Sequence, residues 1–170
     1  MKYHKVEITV DMVRRAKDMA GTHGDNHMTI KRDTRSRFMG YLGEEMVYKF
    51  ISGLTRDNCK DYDFIRWKGT AASYTIDVKT KERTVPPLDK YSVHINEFGN
   101  HQQCDTYVFV SIREIKGSGG EFEGWIIGWM DKDEYWDKAR IVKKGDVEEK
   151  DGFAEYEDSR KMYFKDLNHY

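Results

Sequence analysis

Asp77, Val78 and Lys79 have the residue types and the spacing of a hydrolytic site. They lie in segment 74–81, where apolar and polar side chains alternate as they do along a strand. On a strand, the side chains of Asp77 and Lys79 share one face, roughly 6–7 Å apart along the chain, and Val78 points into the core. A lysine beside a cation-binding carboxylate can orient a water molecule and stabilise developing negative charge.

Two further carboxylates precede this strand in the chain. Asp63 lies in segment 61–67, whose alternation predicts a second strand with its acidic side chains on one face. One turn-sized connection separates the two strands, so we expect them to bring Asp63 beside Asp77. Glu44 lies in a predicted helix. Clustered carboxylates repel one another and favour a divalent cation, and oxygen ligands without histidine or cysteine suit Mg²⁺ or Mn²⁺.

The helix that carries Glu44 is predicted over residues 37–54. Its apolar stripe has i, i+3, i+4, i+7 spacing and consists of Val47, Phe50, Ile51 and Leu54. Glu44 lies beside this stripe, whereas Glu45 projects about 100° further round and is expected to be a surface charge. Gly40 and Gly43 cost helix stability, so we expect them to permit a close approach of backbone or ligand.

Each of these pieces has an ordinary explanation when it is taken alone. An Asp-x-Lys triplet on a strand is most often a solvated face, and Asp63 by itself is typical of a turn or a surface. The order of the pieces favours a site, because a helix glutamate, a strand aspartate and a strand Asp-x-Lys follow one another with apolar residues at alternate positions.

The rest of the chain predicts a single α/β domain around these two strands. A helix over residues 9–20 has Thr9 or Asp11 as its cap, and the continuous apolar run at 107–112 predicts a strand buried on both faces. The other predicted elements are strands at 91–95 and 124–130, a helix at 131–139 and an edge strand near 162–164.

The composition fits one globular domain of 170 residues, 38% of them hydrophobic and 35% charged. With 4 Trp, 11 Tyr and 8 Phe, large aromatic rings compensate for the lean apolar content. The 29 basic and 30 acidic residues give a net charge of −1, which argues against a protein that coats DNA by charge alone. Tight DNA binding is therefore expected to need a homodimer or another partner.

Cysteine usage and the length of apolar runs exclude several other classes of protein. Cys59 and Cys104 form no Cys-x-x-Cys pair, which argues against a cysteine zinc site and a disulfide framework. The N-terminal segment lacks the apolar core of a signal peptide, and no apolar run reaches the length of a membrane span. We therefore expect a cytoplasmic protein with no membrane partner.

The stretch GYLGEEMVYKFI…DYDFI…YTIDVKTK resembles the restriction-endonuclease-like PD-(D/E)XK nuclease superfamily, and most of all its compact phage- and virus-encoded members. The resemblance covers residues 37–112, and GWIIGWMDKDEYWDKARIVKKGD is similar to the strand-then-helix end of such proteins. It implies a mixed central β-sheet flanked by α-helices. The single nuclease domain, 1–170, would comprise an N-terminal helix and basic loop (1–36), a catalytic core (37–112) and a strand–helix extension (113–170).

The resemblance also implies an activity and a role for each matching residue. The protein would be a Mg²⁺-dependent deoxyribonuclease, with Mn²⁺ substituting, and an endonuclease of phage or mobile-element origin acting in the host cytoplasm. Asp63 and Asp77 would bind the metal, together with the Val78 carbonyl and, directly or through water, Glu44. Lys79 would be the catalytic lysine, and cleavage would leave a 3′-hydroxyl and a 5′-phosphate.

Three features depart from the superfamily's pattern. Tyr62 stands where the motif has proline. Asp77 replaces the commoner glutamate, which shortens the reach of the second carboxylate by one methylene. The strand expected before the one that carries Asp63 is barely visible between residues 55 and 60, which leaves the order of the sheet open.

Basic residues near the site are candidates for contact with DNA phosphates, with an ordinary solvated face as the alternative. The clearest cluster, immediately before the Glu44 helix, consists of Lys31, Arg32, Arg35 and Arg37. Lys81 and Arg83 extend the basic side of the site. Some members of the superfamily place a glutamine near the site, which Gln102 or Gln103 would match, and Gln103 is the candidate for nucleic-acid contact.

Two other patterns favour structural explanations. His23 and His27 have the i, i+4 spacing of a zinc site on a helix, but their glycine-rich setting and the lack of an evident third ligand favour a polar loop. Trp125, Ile127 and Trp129 alternate along a predicted strand, which favours core packing over base stacking.

Two functions other than DNA cleavage fit the same sequence. The first is a catalytically silent module that binds nucleic acid or protein on the same fold, although all four expected side chains are present. The second is an interaction protein, such as an anti-host factor, that acts through the charged segment 143–161.

Overall fold

The computed structural model describes residues 3–22, 34–57, 59–68, 72–147 and 156–170. Within these ranges no helix has the length and apolar character needed to cross a membrane. The helices are α1 (Val10–Thr22), α2 (Thr34–Phe50) and α3 (Lys132–Lys138), and 3₁₀ turns lie at Glu97–His101 and Phe164–Asp166. The strands are β1 (His4–Val6), β2 (Leu54–Arg56), β3 (Phe64–Lys68), β4 (Ala72–Glu82), β5 (Ser92–Asn96), β6 (Thr106–Glu114), β7 (Phe122–Asp131), β8 (Arg140–Val142) and β9 (Ser159–Tyr163).

Six of the strands form a mixed central sheet in the order β1-β7-β6-β4-β3-β2. The pair β4 and β6 is parallel, and the other neighbouring pairs are antiparallel. The predicted mixed α/β sheet that contains the Asp77 strand is therefore confirmed. Strand β2 also supplies the strand that was barely visible in the sequence, and it lies at the edge of the sheet beside β3.

Helices α1 and α2 cover one face of the central sheet, and α2 lies close against β4. A Cβ atom on Gly43 would lie 1.9 Å from Thr80 Oγ1, so glycine is required where the helix crosses the strand. This confirms the close approach predicted for Gly43, whereas a Cβ on Gly40 would have nothing within 4 Å. The crossing fixes the helix turn that carries Glu44 against the strand that carries Asp77.

The other face of the central sheet is covered by α3 and a small antiparallel sheet of order β5-β9-β8. Their shared core contains Tyr107, Phe109, Trp125, Tyr135 and Met162. The prediction of helices on both faces is therefore corrected, because a small sheet packs on this face together with the short helix α3. The predicted edge strand near residues 162–164 is also corrected, because β9 lies in the middle of the small sheet.

Strand β7 contains a bulge that alternation alone does not reveal. The pairing with β6 shifts between Phe109 and Val110 and leaves Ile127 without a direct partner. Trp125 consequently packs in the core under the small sheet, whereas Trp129 packs against the core under the helices. The prediction of core packing holds for both tryptophans, but on opposite faces of the sheet.

The helix boundaries have local causes. Thr9 Oγ1 accepts a hydrogen bond from the Met12 N–H at 3.3 Å, so Thr9 caps α1. Helix α2 ends at Phe50, before the predicted end at residue 54, and Gly53 has a left-handed φ of 75°. Leu54 therefore belongs to β2 rather than to the helix stripe.

Candidate active site

Strand β4 places Asp77 and Lys79 on one face, as the alternation predicts. Asp77 is buried, and its Oδ2 lies 2.5 Å from Lys79 Nζ. Val78 points the opposite way and packs against the core under the helices. The strand thus holds an ion pair at the surface of the sheet and anchors it from behind.

Asp63 lies one residue before β3 and is bonded to β4 through both its backbone and its side chain. Its N–H donates to the Ile76 carbonyl at 2.9 Å, and its Oδ2 accepts from the Val78 N–H at 2.7 Å. The second hydrogen bond fixes the carboxylate against the backbone that carries Asp77. The predicted proximity of the two aspartates is therefore present, although β3 itself begins at Phe64.

Glu44 joins these aspartates from helix α2. Burial raises the pKa of Glu44 to about 9, and the charges of Asp63 and Asp77 add to the shift while Arg56 opposes it. Burial also raises the pKa of Asp63 to about 7, and the charge of Asp77 adds to it while the Val78 N–H and Lys79 oppose it. The structure thus brings together Glu44, Asp63, Asp77 and Lys79, and the three carboxylates repel one another.

Glu45 is not the surface charge that the helix pattern predicts. Its side chain is 3% exposed. Its Oε2 accepts from Arg15 Nε of α1 at 2.8 Å, and its Oε1 is paired with Arg56 of β2. The expectation was wrong because helix α1 and strand β2 cover this side of α2. Glu45 therefore forms buried ion pairs that connect α2 to α1 and β2. Glu44 is the glutamate that faces the aspartates.

Gln102 bridges the Asp77–Lys79 pair. It follows the 3₁₀ turn Glu97–His101, its Nε2 donates to Asp77 Oδ1 at 3.1 Å, and its Oε1 accepts from Lys79 Nζ at 2.7 Å. Gln103 is exposed, and its Nε2 donates to the His101 carbonyl instead. Of the two glutamines, Gln102 therefore reaches the site.

Further residues that the sequence did not single out support this pair from below. Lys79 Nζ lies 5.5 Å from the centre of the Tyr107 ring. The Tyr107 hydroxyl donates to the Gly99 carbonyl at 3.2 Å and accepts from Trp136 Nε1 at 3.1 Å, which locks the ring. Lys132 Nζ donates to the Gln102 carbonyl at 2.6 Å. No sequence motif marks these residues, because their roles depend on contacts between distant elements.

Two of the residues predicted to contact DNA already have partners within the protein. Arg35 is paired with Glu82 and Glu114. Arg83 donates to the Ser92 carbonyl at 2.7 Å and stacks between two aromatic rings. Arg83 is therefore held within the fold, whereas Arg35 forms ion pairs at the exposed surface.

The other basic candidates differ in how far the structure describes them. Lys81 is exposed on β4, two residues beyond Lys79 on the same face. Arg37 is half-buried and close enough to Tyr41 to lower the pKa of that hydroxyl, against the larger raising effect of burial. The remaining candidates lie outside the described residues, and they are Lys31, Arg32, His23 and His27.

The carboxylates at this site are the type of ligand that a hard divalent cation prefers. In this structure Asp63 and Asp77 contact the Val78 N–H, Gln102 and Lys79. Within the described ranges, no group of three His, Cys, Asp or Glu side chains is arranged so that it could hold a metal ion. Asp77 Oδ2 is nevertheless buried and, despite its proximity to Lys79, accepts no hydrogen bond from the described residues. Carboxylate oxygens are the ligands that Mg²⁺ prefers, so Glu44, Asp63 and Asp77 are of a suitable type, and their side chains would have to move closer together to bind a cation.

Comparisons of this chain with protein-family models, curated proteins and solved structures found no match. The assignment of a function therefore depends on the geometry and chemistry of the site itself.

Proposed function

We propose that the protein is a metal-dependent deoxyribonuclease with a restriction-endonuclease-like fold. The observation that carries the proposal is the convergence of three mutually repelling carboxylates, from α2, from the residue before β3 and from β4, beside the lysine of β4. Such a set attracts a divalent cation and places an amine beside it, an arrangement that suits hydrolysis of a phosphodiester. The resemblance to the PD-(D/E)XK superfamily supports the same activity.

A divalent cation, Mg²⁺ or Mn²⁺, would be held by Asp63, Asp77, the Val78 carbonyl and, directly or through water, Glu44. When bound, it supplies Lewis-acid stabilisation of the negative charge that develops on the phosphate. Two contacts already orient the two aspartates: the Val78 N–H holds Asp63, and Gln102 Nε2 holds Asp77. These contacts reduce the rearrangement needed to bind a cation.

Lys79 acts on the attacking water. Its Nζ is held by Asp77 and Gln102 above the Tyr107 ring, so its position is fixed before substrate binds. It donates a hydrogen bond that orients the water oxygen toward phosphorus and stabilises the charge of the pentavalent transition state. The new oxygen–phosphorus bond forms as the bond to the 3′ oxygen breaks. The attacking water gives up a proton to solvent, and the 3′ oxygen takes up a proton from solvent, which leaves a 3′-hydroxyl opposite a 5′-phosphate.

DNA would lie near the part of β4 where Lys81, on the same face as Asp77 and Lys79, is exposed. Lys81 follows Lys79 on that face and is the described cation best placed for a phosphate contact. Arg37 is a second candidate near the helix glutamate. The net charge of −1 provides little general attraction for DNA, so we propose that a homodimer or a partner supplies additional contacts.

Cleavage of a panel of linear, circular, single-stranded and branched DNAs tests the proposal. Wild-type protein should cut at least one of them with Mg²⁺ or Mn²⁺ and none with EDTA. Lys79→Ala should reduce the rate by at least about 10²–10³-fold and keep DNA affinity in a gel-shift assay, because the lysine acts on the water. Equal cleavage by wild type and Lys79→Ala would refute the proposal. Binding without cleavage by wild type would favour a silent binding module.

A further inference from the structure

Arg56 of β2 connects the candidate active site to a buried ion pair. Its Nη1 lies 3.4 Å from Glu44 Oε2, and its Nη2 is paired more closely with Glu45 Oε1. The guanidinium group also lies 4.9 Å from the ring centre of Tyr48 and 5.2 Å from that of Phe64. Arg56 is therefore anchored by Glu45 and two aromatic rings while its second nitrogen faces the site.

Glu45 does not need Arg56 alone for its charge balance. Arg15 Nη2 lies 2.7 Å from Glu45 Oε2, so this carboxylate, which is 3% exposed, has two cations. Glu44 has Arg56 as its cationic partner among the described ion pairs. Removal of Arg56 would leave Glu45 paired and would take the positive charge away from Glu44.

The charge of Arg56 reaches beyond Glu44. It lowers the pKa of both Glu44 and Asp63, against the larger raising effect of burial, whereas the described ion pair of Arg15 is with Glu45. Arg15 and Arg56 both pair with the buried Glu45, but Arg56 also contacts Glu44 of the acidic cluster (Glu44, Asp63 and Asp77). This difference provides an internal control.

We propose that Arg56 is a positioning residue that serves as the resident counter-ion of the acidic cluster, holding Glu44 at the site and weakening the cluster's affinity for a divalent cation. The inference rests on the proposed function. A fixed positive charge near a site repels an incoming cation. Because Glu45 and the two rings anchor Arg56, it stays in place when Glu44 turns toward the cation. Its weakening effect on cation affinity would therefore persist in the loaded protein.

Titration of the full chain with Mn²⁺, followed by the electron paramagnetic resonance signal of free Mn²⁺, tests this role without any need for catalysis. Arg56→Met should bind Mn²⁺ about tenfold more tightly than wild type, because a unit charge beside a divalent ion is removed. Arg56→Lys keeps the charge and should stay near wild type. Arg15→Met is the matched control, since it removes the other cation on Glu45, and it should also leave the affinity unchanged.

The outcomes separate the inference from the proposed function. Unchanged or weaker Mn²⁺ binding by folded Arg56→Met, with cleavage and Mn²⁺ binding intact in wild type, would overturn the role of Arg56 alone. Equal tightening in Arg15→Met would also overturn it, because a general loosening of the fold would then explain both. Absence of both Mn²⁺ binding and cleavage in wild type would overturn the proposed function and this inference with it. If thermal melting shows that Arg56→Met does not fold, Arg56→Gln, which keeps donors for Glu45, carries the same prediction.

Discussion

Glu44 and Glu45 are neighbours on one helix, yet they lie in opposite electrostatic settings. The Glu45 side chain is 3% exposed and has Arg15 and Arg56 as close partners. The Glu44 side chain is 16% exposed, contacts Arg56 at 3.4 Å and faces Asp63 and Asp77. Burial alone does not distinguish the two carboxylates. The balance of the surrounding charges does so.

The difference has an energetic meaning. A buried carboxylate with two cations offsets part of the cost of leaving water through its ion pairs. A carboxylate beside two others does not, and its raised pKa reports that deficit. A divalent cation would correct the deficit at Glu44 and has nothing to correct at Glu45. Under the proposed function, Glu44 would belong to the cation site, whereas Glu45 holds α1, α2 and β2 together.

The same substitution at the two positions should change stability in opposite directions. Glu45→Gln should lower the free energy of unfolding by about 2–3 kcal/mol, because it removes the shared partner of two arginines. Glu44→Gln should raise it by at least about 1 kcal/mol at pH 7 without metal, because folded Glu44 must hold a proton that the unfolded chain releases at this pH, whereas the amide is neutral in both states. Urea unfolding in EDTA measures both values, and a loss of similar size in both variants would contradict the comparison.

The metal-free protein should lose stability as the pH rises. Glu44 has an ordinary pKa of 4.5 when unfolded and about 9 when folded, so between these values the folded state binds more protons than the unfolded state. Stability due to this group therefore falls with rising pH, by up to about 1.4 kcal/mol per pH unit. Urea unfolding of wild type and Glu44→Gln in EDTA from pH 5 to pH 9 isolates the contribution, because the variant lacks it. Parallel pH profiles would contradict the assignment.

The two glutamines after the 3₁₀ turn provide a second matched pair with a smaller expected effect. Gln102→Ala should reduce Mg²⁺-dependent cleavage about tenfold, because Lys79 and Asp77 lose their shared hydrogen-bond partner at a cost of about 1.4 kcal/mol. Gln103→Ala should leave the rate within about twofold, since its side chain bonds to a backbone carbonyl outside the site. The measurement is the initial rate on the DNA that wild type cuts best. Equal effects of the two variants would argue against a positioning role for Gln102.

Sequence reasoning succeeded where the information is local. Alternation along β4 predicts that Asp77 and Lys79 share a face while Val78 points into the core, and the structure has this arrangement. Gly43 also follows from local physics, because a glycine in a good helix indicates a close crossing. Both features depend on the residue and its immediate neighbours.

The failures concern contacts that distant elements create. Glu45 is buried because Arg15 and Arg56 approach from α1 and β2, and helix periodicity contains no information about either. The tryptophans of β7 lie on opposite faces because a bulge opposite Phe109 and Val110 interrupts the period of two.

Short elements also carry too little signal for a prediction. Strand β1 has three residues, His4–Val6, and its pairing with β7 supplies its stability. The 3₁₀ turn Glu97–His101 determines which glutamine reaches the site, yet nothing in the two adjacent glutamines distinguishes them.

The most direct test of the central claim is calorimetric titration of Mn²⁺ into the wild-type protein and into Asp77→Asn at pH 7, in two buffers with different heats of ionisation. The wild type should bind Mn²⁺ and release protons, because carboxyl groups with raised pKa values must ionise to bind a cation. Asp77→Asn should lose this binding. The absence of Mn²⁺ binding in wild type, or equal binding in the variant, would contradict the account.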